Sequence, residues 1–261
     1  MAEFWWGASP KSEIKKHKQY YPACTGKCEP ILQHMLDGIA LDDNPLLKNY
    51  AAGKSLEIVY QDDDLVVVNK PAEFLSVPGK AVTDSVYQRV KQQFPHATGP
   101  LIVHRLDMST SGLMVLALNS HSNKVLQKQF IRREVEKEYV AIVEGLIEAD
   151  NGEITLPLRS DIFDRPKQQV CFDQGKPAKT TWQVKQRFPQ LNRTKVSLRP
   201  HTGRTHQLRV HCAHASGLNM PIVGDDLYGM RDHRLHLHAQ RISFVHPTTL
   251  ETLIIEKYGD F

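Results

Sequence analysis

The residues with the clearest chemical potential lie in one polar run, His104-Arg105-Leu106-Asp107-Met108-Ser109-Thr110-Ser111-Gly112-Leu113. It sets a carboxylate two residues from a guanidinium, just before the continuous apolar stretch Leu113–Leu118. A polar segment feeding a buried strand puts its side chains at a sheet end or on a cleft wall. An ionised carboxylate there can serve as nucleophile or general base. The same residues also suit a plain loop, with Arg105 and Asp107 as a local ion pair and the hydroxyls closing turns. Residue types alone favour that second reading. They also favour a core role for Tyr139, which sits in a β-rich run, and an ordinary surface-helix role for Arg209.

Elements that position these groups follow from patterning. Leu56–Tyr60 and Leu65–Asn69 are short strands split by the turn signal Asp62-Asp63-Asp64. Asp84 is expected to cap a helix bearing Val86, Val90 and Phe94 on one face. The run Leu113–Leu118 implies a strand buried on both faces. Asn119 or Ser120 opens a helix through Arg133. Strands are expected at Tyr139–Glu144, Thr180–Lys185, Thr194–Arg199, Arg241–Val245 and Thr252–Glu256. A helix is expected from Thr205 to about Ser216, closed by Gly217 as a left-handed cap, with Leu208 and Cys212 inward and Arg209 at its edge. Asp164–Lys179 reads as a loop or hairpin. The fold class is α+β, a mixed, largely antiparallel sheet with flanking helices and loops.

Residues 1–53 differ from residues 54–261. They carry aromatics, a Lys-Lys-His-Lys run and little periodicity, and read as an N-terminal extension of unknown role. Cys24 and Cys28, spaced C-x3-C with His17 and His34 nearby, fall short of a convincing four-ligand zinc site, so reduced thiols and no metal are expected. The histidines from His206 to His238 lack an H-E-x-x-H arrangement, which argues against a metal-dependent hydrolase. The chain has 261 residues, 41% hydrophobic and 24% charged, with a net charge of +4 that suits a polyanionic partner. The sequence shows neither a membrane-length apolar run nor a signal-peptide pattern, so a cytoplasmic protein is expected.

The run from His104 to Leu113 resembles the HRLDxxTSG motif of the RluA family of RNA pseudouridine synthases. Three further segments resemble that family in order: Lys137–Gly145, Thr202–His211 (TGRTHQLRVH), and Pro221–Asp225 with Leu227-Tyr228-Gly229. The segments Leu65–Pro71, Leu75–Gly79, Arg165–Cys171 and Gly175–Ala178 resemble its dual ribosomal RNA/transfer RNA type. The resemblance covers residues 56–261 and implies isomerisation of selected uridines to pseudouridine, without cofactor or metal. Substrates would be large-subunit ribosomal RNA or the anticodon stem-loop of transfer RNA. It implies Asp107 as the catalytic carboxylate, Tyr139 on the uracil, and Arg209 as the cation that keeps Asp107 ionised. Arg105 would fill the space left by a flipped base. His104, Thr110, Gly112, Arg204, His206, Arg165 and Lys167 would contact substrate, and Lys128, Arg132, Arg133, Lys176 and Lys179 would track phosphates. A monomer is implied. The sequence departs from the pattern at Asn219-Met220 and at Asp226, neither expected to touch the catalytic set, and has no S4-like RNA-binding domain. The alternative is a catalytically silent RNA-binding protein on the same fold.

Overall fold

The computed structural model describes residues 56–80 and 82–261. The Cys24/Cys28 pair and the 53/54 boundary lie outside them. The first two runs form β1 (Glu57–Gln61) and β2 (Leu65–Lys70), paired antiparallel. Their turn closes because Asp62 Oδ1 accepts from the backbone N–H of Asp64 (2.8 Å) and Leu65 (2.9 Å). In α1 (Val86–Gln93) the cap is Ser85 rather than Asp84, with Ser85 Oγ accepting from the Gln88 N–H. A cap must reach the amide two or three residues into the helix; Asp84 pairs instead with Arg89 at 2.7 Å.

Strand β3 (Ser111–Ala117) is buried along its whole length. Met114 and Leu116 pack with Val66, Val68 and the Val86 and Val90 side chains of α1 on one face. Leu113 and Val115 pack with Leu65, Val67 and Leu126 of α2 (Ser120–Arg132) on the other. Two helices covering two faces are what a continuous apolar strand requires. Asn119 caps α2 through Ser122, and Arg133 ends it in the left-handed region at φ 62°.

The remaining strands are β4 (Glu136–Glu144), β5 (Asn151–Thr155), β6 (Leu158–Ser160), β7 (Gln168–Val170), β8 (Lys179–Phe188), β9 (Arg193–Pro200), β10 (Leu237–Val245) and β11 (Thr252–Glu256). The main sheet runs β1-β2-β3-β10-β4-β9-β8-β5, with β11 on β10, while β6 and β7 form a separate hairpin within the Asp164–Lys179 region and its approach. Only β3–β10 is parallel among the described pairs. Helix α3 (Gln207–Ala213) is shorter than the pattern suggested, and His214 leaves it in extended conformation. Gly217 is therefore no left-handed cap; it is needed because a Cβ there would lie 2.0 Å from the His211 carbonyl oxygen.

The insertion of β10 between β3 and β4 aligns Gly112, Ala239 and Tyr139 across one rung. Two strand spacings, about 10 Å, thus separate the start of β3 from Tyr139. The tight β3–β10 contact depends on Gly112, whose φ is +115° and whose added Cβ would fall 2.4 Å from the Ala239 carbonyl oxygen. Gly112→Ala is expected to cost about 3 kcal/mol or more from strain and overlap together, read by urea unfolding. A change under about 0.5 kcal/mol would show that the rung relaxes freely.

Candidate active site

The segment carrying Asp107 is held on three sides. Lys70, fully buried at the end of β2, donates from Nζ to the carbonyls of Pro71 (2.8 Å), Phe74 (2.7 Å) and Met108 (2.9 Å). Ser76 Oγ donates to the Leu106 carbonyl (2.6 Å) and accepts from the Leu106 N–H (3.1 Å). The His104 ring stacks on Phe130, and its Nε2 accepts from the Val115 N–H at 2.9 Å. Leu106 and Met108 are thus pinned on either side of Asp107, whose own carboxylate has no hydrogen-bond partner among the described residues. Burial pushes the Lys70 ammonium down to about 7, with Glu73 and Asp107 opposing.

His104 fixes the fold of the loop rather than presenting a free ring. Burial, then Lys137, pushes its pKa down to about 3. Between pH 6.5 and that value the unfolded chain holds a proton that the folded one refuses, so stability falls as pH drops. His104→Gln keeps an acceptor for Val115 but cannot titrate. Its urea-unfolding free energy is expected to fall less steeply between pH 6 and 4, by up to about 1.4 kcal/mol per pH unit. Equal slopes for both proteins would refute this role.

The opposite wall is the segment before α3. Gln207 organises it: its Oε1 accepts from Thr202 Oγ1 (2.7 Å) and the Arg204 N–H (3.1 Å), and its Nε2 donates to the Lys179 carbonyl and Thr180 Oγ1. His206 turns the chain at φ 52°. Leu208 and Cys212 face the core as expected. Arg209 does not project from the helix edge. It is 3% exposed and forms a two-point ion pair with Asp225 (Nε–Oδ2 2.9 Å, Nη2–Oδ1 2.5 Å), and Nη2 also reaches Asp226 at 2.9 Å. Asp226 therefore touches Arg209, one of the residues expected to be catalytic, contrary to the expectation that it would touch none of them. Asp107 is within electrostatic reach of Arg209 but shares no hydrogen bond with it among the described residues. The other departure is accommodated simply: Asn219 takes a left-handed φ of 54°, which asparagine tolerates.

Between these walls lies a cleft of about 1350 Å³, lined by Asp107, Tyr139, His206 and Arg209 among others. That exceeds the usual small-molecule pocket and suits a segment of polymer. His104, Arg105, Thr110 and Arg204 also line it, as do Ile131 and Arg133 at the end of α2. Burial, with the Asp107 charge, pushes the Tyr139 hydroxyl well up, so it keeps its proton. Neither that hydroxyl nor His206 Nε2 has a hydrogen-bond partner among the described residues, and both side chains line the cleft. A carboxylate, a phenol and an imidazole nitrogen thus converge on one cleft with hydrogen-bonding capacity unspent.

Other expected site residues sit elsewhere. Gly112 makes its close approach inside the sheet, to Ala239. Lys167 pairs with Asp164 at 2.7 Å in the β6–β7 loop, where Pro166 reaches the cleft lining. Lys179 pairs with Glu153 at 2.7 Å. Lys70, Ser76, Asp225 and Tyr228 were not assigned roles from sequence. A lysine closing the apolar run of β2 was the available signal for the first. Asp62, Asp64 and His246 form the one metal-like cluster among the described residues. Their oxygens already accept from Tyr60, His246, Asn119 and Ser122, bracing the β1–β2 turn.

A family model described as RNA pseudouridylate synthase matches residues 64–214. The dual-specificity RNA pseudouridine synthase RluA of Vibrio parahaemolyticus is 48% identical over 201 residues, 73% of this chain and 78% of its own. RluA of Escherichia coli is 42% identical over 213 residues, 79% and 94% of the two chains. The solved structure of human RNA Pseudouridylate Synthase Domain Containing 1 superposes with a TM-score of 0.67 at 32% identity, over 79% of this chain and 84% of that one. The matched segment runs from the β1–β2 turn to the end of α3 and spans both walls of the cleft. By sequence and by fold, the chain belongs to the RNA pseudouridylate synthase family.

Proposed function

We propose that this cleft isomerises uridine in large-subunit ribosomal RNA and in the anticodon stem-loop of transfer RNA, with Asp107 as the catalytic carboxylate. The observation carrying this reading is the unengaged Asp107 carboxylate, held in place by its neighbours and facing Tyr139 across the cleft. The dual-specificity names of the relatives support both RNA classes.

The reaction breaks N1–C1′, turns the uracil and joins C5 to C1′; C5 gives up its proton and the freed N1 takes one up, so no atoms are gained or lost. Asp107 assists cleavage as nucleophile at C1′ or as base on the sugar. Tyr139 stacks on the uracil. Because its phenol stays protonated, it can take the C5 proton only by passing its own onward, and Asp107 is the nearby acceptor in charge. Arg105, exposed on the cleft lining, occupies the space vacated by the flipped nucleotide, whose extrusion costs a few kcal/mol. Arg209 acts at a distance, its charge shared with Asp225 and Asp226. The enzyme acts as a cytoplasmic monomer, with residues 54–261 as catalytic domain and 1–53 as an extension. No helix among the described residues is long and apolar enough to cross a membrane.

The test is tritium release from RNA labelled at uridine C5, with transfer RNA and large-subunit ribosomal RNA assayed in parallel. Release from both is expected. Release from neither, with RNA still bound, would favour the silent RNA-binding alternative.

A further inference from the structure

One hydroxyl joins three parts of the molecule. Tyr228 Oη accepts from the Gln168 N–H at the start of β7 (2.7 Å) and lies 2.8 Å from His206 Nδ1. Tyr228 is itself fixed: its N–H donates to Asp225 Oδ1 (3.0 Å), and its ring lies under the Arg209 guanidinium at 5.4 Å. Its edge meets the His206 ring at 5.7 Å and 80°.

Counting protons assigns the His206 tautomer. The tyrosine has one proton to give, Gln168 is already a donor, and among the described residues the sole remaining neighbour is His206 Nδ1. Nδ1 must then be bare and the ring proton must sit on Nε2. A cationic His206 would instead leave the tyrosine proton without an acceptor, and burial disfavours that cation too. The Nε2–H lacks a partner among the described residues, and His206 belongs to the lining of the Asp107 cleft. Uridine offers carbonyl and ribose oxygens as acceptors.

We propose that Tyr228 is a positioning residue, which fixes His206 as an Nε2–H donor to an oxygen of the bound uridine and ties the β6–β7 hairpin to the same ring. This rests on the reading of the cleft as a uridine site. It makes hairpin and catalytic wall one unit, so RNA engaging the hairpin loop also sets the donor.

Tautomers are read from the ¹⁵N shifts of His206 in the full chain. Kinetics are read from tritium release with whichever RNA the parent enzyme converts. The parent should show a protonated Nε2, and Tyr228→Phe a mixture of tautomers with kcat about tenfold lower and KM little changed. Adding Tyr228→Phe to His206→Ala should cost nothing more, because the hydroxyl acts through the ring. His206→Gln, whose amide can still donate, should recover part of the loss and be insensitive to residue 228. A parent ring protonated on Nδ1, an unchanged kcat in Tyr228→Phe, or multiplying effects of the two substitutions would each overturn the proposal. Absence of release by the parent would sink the proposed reaction instead, and the parent tautomer would still decide the Tyr228–His206 assignment.

Discussion

Asp107→Asn is expected to lower tritium release from uridine C5 by at least about 10³-fold. RNA affinity should stay within a factor of about three, since the phosphate contacts that dominate binding are untouched. The structure makes this an unusually clean substitution. The Asp107 side chain accepts no hydrogen bond from the described residues, and its backbone carbonyl bond to the Thr110 N–H survives the change. The loop on either side stays pinned by Lys70 and Ser76. Stability should therefore move by no more than about 0.5 kcal/mol. The lost negative charge leaves Lys70, His206 and Arg209 with one less anion, which favours a polyanion if it acts at all. A variant retaining a tenth of parental release would remove Asp107 from the chemistry.

That contrast shows what a sequence can and cannot carry. The run before β3 was legible as a cleft wall because a polar segment must end where a fully buried strand begins. Burial of β3 on both faces was legible because its run is continuously apolar, whereas the identity of the two covering helices came only from the packing. The order of strands was not. That β10, more than ninety residues away in the chain, lies between β3 and β4 is a long-range pairing with no local signature, yet it sets the Asp107–Tyr139 separation. Boundaries failed where a single side chain decides them: Ser85 and Asp84 are both good caps by type, and only the reach to Gln88 separates them. Arg209 was misplaced for a related reason. Helical spacing put it beside a buried face, but its partners Asp225 and Asp226 come from a turn that the pattern of α3 does not encode.

That pairing carries the largest stability effect expected from one substitution. Arg209→Met should cost about 3–5 kcal/mol in urea unfolding, because it strands a buried carboxylate rather than merely deleting a contact. Asp225 is fully buried. Besides Arg209, its Oδ1 takes the Leu227 and Tyr228 N–H groups, both at 3.0 Å. Those amides soften the loss of the cation without balancing its charge. Arg209→Lys should recover little, since an ammonium cannot meet both Asp225 oxygens and Asp226 in one plane. Asp226→Ala is the internal control. Its carboxylate is half-exposed and offers Arg209 one oxygen, so its removal should cost no more than about 1 kcal/mol. Equal costs for Asp226→Ala and Arg209→Met would mean that the solvent-facing acid, not the buried one, holds the arginine. A loss under about 1 kcal/mol for Arg209→Met would mean that Asp225 takes up a proton or water when its partner goes, leaving Arg209 free of any structural duty.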